Sequence, residues 1–255
     1  MHEKINFKNQ IDNLNCFIDT ILSSSTDNKQ QIINHFNSYH KTLTEQSEKL
    51  NLISKNDLNI LYTRHFIDSL IPFQLYSDFF LTLKYPIKII DIGSGAGFPG
   101  TAWKLFNHKF DITFVESIAK KCDFLTNLKN NLHLENMNIL NLRAEELAYQ
   151  PLLRENFDIA ITRASAKPLI ALELLLPFIS LNGSAFFWCS GPEWNNIELI
   201  AKITEKLGGK ICSNKEYILP EDLRPRTILH IKKISKTAIT YPRIQSIRKD
   251  KPITI

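Results

Sequence analysis

DIGSGAGFPG, residues 91–100, follows a short apolar run and precedes a stretch of helical character. Four of the eight glycines in the chain, Gly93, Gly95, Gly97 and Gly100, fall inside it. Glycine tolerates positive φ and lets backbone N–H groups come close to a ligand. A helix that starts at such a loop points its positive end at the same place. Pro99 stands near the first helical turn, where a missing N–H costs nothing. A tight turn needs one or two glycines, not three at alternate positions, so the loop is expected to hold a ligand. Strand, glycine loop and helix together make this an α/β protein.

Working outward, short β-rich runs alternate with helical ones after Pro86, the pattern of a parallel sheet covered on both faces. Strands are expected at 87–92, 111–116, 137–142, 157–162, 184–189, 211–219 and 227–233, and helices near 99–106, 119–131, 168–178 and 194–207. No helix separates the last two strands, which are therefore expected to pair antiparallel at one side. The first 84 residues contain no glycine. Ile11, Leu14, Ile18, Ile21 and Leu22 recur at helical spacing, as do Ile32, Ile33, Phe36, Tyr39 and Leu43, which predicts two amphipathic helices. Asp27 is the expected N-cap of the second. Leu58, Leu61, Tyr62, Phe66 and Leu70 predict a third helix over 57–70. The expected organisation is an N-terminal helical subdomain (1–84), an α/β ligand-binding domain (85–235) and a basic tail (236–255).

Charge divides the chain unevenly. Residues 224–255 hold nine Lys or Arg against one acid, a net +8, whereas residues 1–223 carry −3. A basic end on a slightly acidic body points to a polyanionic partner, with a solubilising tail as the plainer alternative. The longest apolar stretches, such as 169–181, are interrupted and too short to cross a bilayer. The first residues lack the basic and apolar segments of a secretion signal. Cys16, Cys122, Cys189 and Cys212 are far apart and without CxxC spacing, which argues against a zinc site or a disulfide framework and fits a reducing cytoplasm. His35, His40, His108, His133 and His230 show no metal-ligand spacing either.

Gly95, Gly97 and Gly100 also satisfy the G-x-G-x-x-G spacing of dinucleotide-binding folds, so glycines alone do not choose the ligand. Nor does Glu116, 19 residues after Gly97, because either cofactor class wants an acid there for ribose hydroxyls. Asp91 separates them: an acid at the strand end is suited to the cationic amino end of S-adenosylmethionine and would repel a pyrophosphate. Arg143-Ala144-Glu145-Glu146-Leu147 follows the third strand, where a main-chain N–H at Ala144 or Glu145 is placed to address an adenine edge. Arg143 and Glu146 taken alone read equally well as an exposed charge pair.

The order RHFIDS (64–69), DIGSGAGFPG, VESIAKKCDFL (115–125), RAEEL (143–147), ITRASA (161–166), RTILHIKK (226–233) and YPR (241–243) resembles the RsmG family, also called glucose-inhibited division protein B. The likeness covers about residues 30–250, and FPG together with TRA is its most specific part. It implies a class I methyltransferase: a Rossmann-like, mostly parallel seven-stranded sheet with helices on both faces, preceded by the helical subdomain. It also implies S-adenosylmethionine as cofactor and N7 of one guanine in 16S ribosomal RNA as target, in the small subunit or an assembly intermediate. Carried over position by position, Gly93 and Phe98 lie against the methionine end of the cofactor, Ala144 and Glu145 against its adenosine, and Arg163 completes the pocket. Gly95 and Glu116 join this set from the loop and the second strand. Arg64 and His65 become candidates for the wall facing the cleft. One departure is Ser190-Gly191, where many members have Lys-Gly.

Guanine N7 has a free lone pair and no proton, so its methylation needs positioning and no general base. Consistent with this, the chain has no [DN]PP[FY] motif for an exocyclic amine and no Pro-Cys pair for ring-carbon chemistry. No catalytic side chain and no metal are expected. Arg163 is suited to O6 or a phosphate, or alternatively to an ion pair with Asp158 or Glu145. Arg226 and Arg243 are the expected RNA contacts of the basic end, with the tail extended along a backbone and Tyr241 free to stack on a base. Three other functions stay open on the residues: a nicotinamide-dependent oxidoreductase, a small-molecule methyltransferase, and a non-catalytic RNA-binding protein.

Overall fold

The computed structural model describes residues 2–22, 29–163, 167–189, 191–220, 222–250 and 253–254. Five helices come first: α1 (His2–Ile21), α2 (Lys29–Leu50), α3 (Lys55–Leu58), α4 (Asp68–Leu75) and α5 (Ser77–Leu81). Strands and helices then alternate as β1 (Ile87–Ile92), α6 (Gly100–Phe106), β2 (Phe110–Val115), α7 (Ala119–Asn131), β3 (Met137–Leu140), α8 (Ala144–Leu147), β4 (Phe157–Thr162), α9 (Pro168–Leu175), β5 (Ile179–Cys189) and α10 (Ile197–Lys206). The chain finishes with β6 (Gly209–Leu219), β7 (Asp222–Lys233) and α11 (Gln245–Asp250).

All seven strands form one sheet in the order β3-β2-β1-β4-β5-β7-β6. β7 enters between β5 and β6 and pairs antiparallel with both, while the other neighbours are parallel. The order reverses between β1 and β4, which opens a crevice at the carboxyl ends of these strands. Each face of the sheet carries its own apolar cluster. Ile89, Ile112, Phe114, Phe186 and Ile228 pack with the N-terminal helices, α6 and α7, and Ile90, Ile92, Ala160, Phe187 and Ile231 pack with α8, α9 and α10. The strand alternation that predicted buried runs thus feeds two cores.

The third predicted helix departs from expectation. In place of one α-helix over 57–70, α3 leads through a π-helical segment, Tyr62–Ile67, into α4, which continues to Leu75. Pro72 sits inside α4 and has no N–H for the carbonyl of Asp68. Trp188 from β5 takes that carbonyl with its Nε1 at 2.8 Å, and Trp103 from α6 bonds the carbonyl of Ser69 at 2.8 Å. Periodicity alone does not show this break, because Leu61, Tyr62, Phe66 and Leu70 all stay buried across the widened turn. The predicted N-cap Asp27 and the variant Ser190 lie outside the described residues.

The tail also differs from expectation: it folds back instead of extending. The Arg154 guanidinium donates to the carbonyls of Ala148, Thr237, Ala238 and Tyr241 at 2.8–3.1 Å, and Tyr149 Oη donates to Pro242 O at 2.7 Å. Tyr241 packs against the second core, which also buries Ile253. Among the described residues, four of the basic-end cations meet acids: Arg224 with Asp222, Arg226 with Asp222 and Asp68, Lys233 with Glu155, and Arg243 with Glu173. Lys233 is fully buried, and desolvation lowers its pKa to about 8. The local charge count overstates the free positive surface because the acids lie outside it: Asp222 just before it, and Asp68, Glu155 and Glu173 in distant segments.

Candidate functional site

The loop after β1 is held from below. Gly93 N and Ser94 N donate to Val115 O at 2.9 and 3.3 Å, and Gly97 N and Phe98 N donate to Ser94 O. Gly95 has φ +57, and a Cβ there would meet only Gly93 O at 3.8 Å, so this position opens into free space. Gly97 has φ +97 and faces the interior: its Cβ would lie 2.5 Å from Thr101 Oγ1 and 2.8 Å from Tyr39 Oη. Tyr39, from α2, donates to Ala96 O and is wholly buried. The loop is therefore packed tightly inside and left bare outside.

Glu116 follows β2 and braces this loop with both oxygens, accepting Gly95 N and Ile118 N at 2.9 Å each. Each carboxylate oxygen retains a further lone pair for a hydroxyl. Beyond it opens a cavity of about 270 Å³ between the ends of β1, β2 and β3. It brings together Gly93, Glu116, Ala144 and Glu145, with Ile170 and Leu174 of α9 as an apolar wall. Bare glycine backbone, a carboxylate at the second strand end and an apolar slot beside α8 fit a nucleoside carrying ribose hydroxyls. Arg143 pairs at 4.0 Å with Glu145, not with Glu146.

Phe98 and Arg163 do not line this cavity; they belong to an adjoining cluster. Arg163, just beyond β4, donates from Nη1 to Asp68 Oδ2 at 3.0 Å and to the carbonyls of Arg64 and His65. Its guanidinium lies 5.0 Å over the Phe98 ring, which also meets His65 at 4.9 Å and Tyr39 at 5.3 Å. The ion pair offered as the alternative for Arg163 does form, but with Asp68 in place of Asp158 or Glu145, because the N-terminal helices close over the end of β4. Arg163 Nη2 also donates to His65 Nδ1, which leaves the imidazole proton on Nε2. That Nε2 is buried and has no hydrogen-bond partner among the described residues. Burial and the neighbouring arginines hold His65 well below its ordinary pKa, so it is neutral at pH 7.

Asp68 is the residue that sequence patterns did not single out. It is 1% exposed and accepts from Tyr217 Oη at 2.6 Å, Arg163 at 3.0 Å and Arg226 at 3.4 Å. It thereby joins α4, β4 and the β6–β7 hairpin. Its position in RHFIDS beside His65 is the available signal, but the partners lie 95–158 residues away. Arg64 pairs with Asp57 at 2.8 Å, and Arg243 forms a bidentate pair with the buried carboxylate of Glu173 on α9.

Asp91 also departs from the sequence expectation, because it does not line the cavity. Strand alternation turns it toward α6, where Oδ2 accepts Gly100 N at 2.9 Å and Oδ1 has no hydrogen-bond partner. Burial pushes its pKa up to about 7. A raised folded-state pKa stabilises most below the unfolded value near 4, and that contribution is lost as pH rises through 7. Relative to Asp91→Asn, the wild type is expected to lose up to about 1.4 kcal/mol per pH unit across this window. Denaturant melts at pH 5 and pH 8 check this; an unchanged difference between the two proteins rejects it.

Comparison with known proteins adds kinship to the geometry. Residues 32–205 match the family GidB, described as rRNA small subunit methyltransferase G. A ribosomal RNA small subunit methyltransferase G from Oenococcus oeni is 35% identical over 239 residues, 93% of this chain and 96% of that protein. Its counterpart from Geobacillus kaustophilus is 33% identical over 218 residues, covering 86% and 90%. Among solved structures, a 16S rRNA (adenine(1408)-N(1))-methyltransferase variant from Catenulisporales acidiphilia superposes with TM-score 0.50 at 10% identity, over 60% of this chain and 87% of that one. That likeness is one of fold. Among the described residues no helix is long and apolar enough to cross a membrane, and no group of three His, Cys, Asp or Glu is placed to hold a metal.

Proposed function

Since the chain belongs to the GidB family of small-subunit ribosomal RNA methyltransferases G, we propose that it methylates N7 of a guanine in 16S ribosomal RNA with S-adenosylmethionine. The observation that carries this reading is the meeting of the bare glycine loop, Glu116 and Ala144-Glu145 around one cavity at the sheet's reversal point. Gly93, Gly95, Glu116, Ala144 and Glu145 hold the cofactor: the loop N–H groups its carboxylate end, Glu116 its ribose, and the segment at Ala144 its adenine. When bound, the sulfonium supplies the methyl group. Phe98 and Arg163 flank the methionine end, with Phe98 fixed between the guanidinium and the imidazole.

The remaining work is positioning, because N7 has a lone pair and needs no base. His65 Nε2–H is a buried donor without a partner, and a guanine O6 is an acceptor that satisfies it while leaving N7 open. Arg163 holds that tautomer. Arg64 forms the outer part of the same wall. Arg226 acts through Asp68 as a positioning residue, and Arg243 acts through Glu173 on the wall of α9. The helices of residues 1–84 are, in this reading, a subdomain that closes the substrate side of the cleft.

The test is transfer of label from S-adenosylmethionine to ribosomal particles, assembly intermediates and naked ribosomal RNA from a strain lacking the protein. Borohydride and aniline cleavage then map 7-methylguanine. Label at one guanine is the expected result. No label in RNA, or label on another base, overturns the proposal, and comparison of the three substrates identifies which assembly state is used.

A further inference from the structure

The C-terminal segment passes the cofactor cavity. Ile234 N and Ser235 N bond Gly208 O, Thr237 N bonds Glu155, and the Arg154 fork collects carbonyls from Thr237 to Tyr241. Arg243 then fastens the chain to α9: its backbone N, its Nε and its Nη2 all donate to Glu173 at 2.7–2.9 Å. Glu173 is 1% exposed and lies between Ile170 and Leu174, the two α9 residues that wall the cavity. Two residues beyond this anchor, Gln245 lines the same cavity as Ala144.

Leu142, Ala144, Ile170 and Leu174 give the cavity its apolar walls, beside Ser117, Arg143 and Glu145. Arg143 stands 4.0 Å from Glu145, and Glu116 is turned to the glycine loop. A primary amide presents one acceptor and two donors, the pattern that pairs with the amine and ring nitrogen on an adenine edge. Among the described residues the Gln245 amide has no hydrogen-bond partner.

We infer that Gln245 reads the adenine edge of the cofactor, and that the Arg243–Glu173 pair is the clasp that places it there. This rests on the cofactor assignment above. The C-terminal segment, on this view, is part of the cofactor site and not a free arm for RNA. Its anchors are paid out along the segment so that the last one lies two residues from the reading group, which limits how far the amide can stray.

Isothermal titration of the full-length protein with S-adenosylhomocysteine and with its analogue lacking the 6-amino group tests this. Gln245→Ala is expected to bind S-adenosylhomocysteine about fivefold more weakly, and to lose only about twofold with the deamino analogue, which offers the amide the ring nitrogen alone. Arg243→Ala is expected to reproduce the selective loss, and the double substitution to be no worse than either. Equal losses for both ligands, no loss in Gln245→Ala, or additive losses in the double variant overturn the inference. A wild type that binds neither ligand instead overturns the cofactor assignment, so the two failures are distinct. Thermal melts of each variant show that the fold is retained.

Discussion

Asp68→Ala is expected to lower the stability of the protein by about 3 kcal/mol and to abolish methyl transfer. Removing one partner of a buried ion pair leaves the other charge uncompensated, at a cost of about 3–5 kcal/mol. The low end applies because the Arg163 and Arg226 side chains retain 16% and 17% exposure. Tyr217 loses its acceptor in the same step. For a chain of this size the change corresponds to a drop of roughly 6–12 °C in the melting temperature. Asp68→Asn keeps an acceptor for Tyr217 but no charge for the arginines, so it should fall between wild type and Asp68→Ala. A melting temperature for Asp68→Ala within about 2 °C of wild type would falsify the hub role. Transfer activity in Asp68→Asn separates the two contributions: Arg163 without its carboxylate no longer fixes His65, so activity should fall further than stability does.

The second large effect is expected at Gly97. Its φ of +97 is unfavourable for a side chain, and a Cβ would strike Thr101 Oγ1 and Tyr39 Oη. Both neighbours are fully buried and have no room to yield. Backbone strain of about 1–2 kcal/mol and overpacking of about 1–3 kcal/mol together place Gly97→Ala about 2–4 kcal/mol below wild type. The displaced loop also carries Gly95 N away from Glu116, so S-adenosylhomocysteine affinity should drop at least about tenfold. Gly95→Ala is the informative contrast, because its Cβ enters open space. That variant should carry only the backbone strain of its φ of +57, about 1 kcal/mol, melt above Gly97→Ala and still lose affinity, since it fills the place of the ligand. Calorimetric titration and thermal melts on both variants decide the matter; wild-type affinity in Gly97→Ala would reject the packing argument.

These two sites differ in how far they were legible from the chain. Gly97 announces itself: alternate glycines between an apolar strand and a helix have few other uses, and the interior contacts follow from the turn they permit. Asp68 does not, because its partners come from three segments that meet only when the sheet closes. The same contrast runs through the fold. Strand limits at Ile87–Ile92 and Phe157–Thr162 match the expected ones, because burial on both faces writes a continuous apolar run. The π-helical segment at Tyr62–Ile67 left no mark in the periodicity, since Leu61, Tyr62, Phe66 and Leu70 stay buried across it, and the Trp188 and Trp103 donors that meet the start of α4 come from distant segments.

Local pattern by itself determined the α/β architecture, the glycine loop, Glu116 at the second strand end and the family to which the chain belongs. These properties depend on residues close in sequence, where backbone geometry and strand burial act directly. Charge was the property the chain alone misrepresented: counted along the sequence it describes a +8 arm, yet the fold returns that arm to the sheet and sets its arginines on carboxylates from α4 and α9. Tertiary structure decided which cations are free, which proton His65 carries and where Gln245 stands. Electrostatic and hydrogen-bond partners are chosen by distance in space, and the pairs that Arg243 and Arg226 make with Glu173 and Asp68 span 70 and 158 residues.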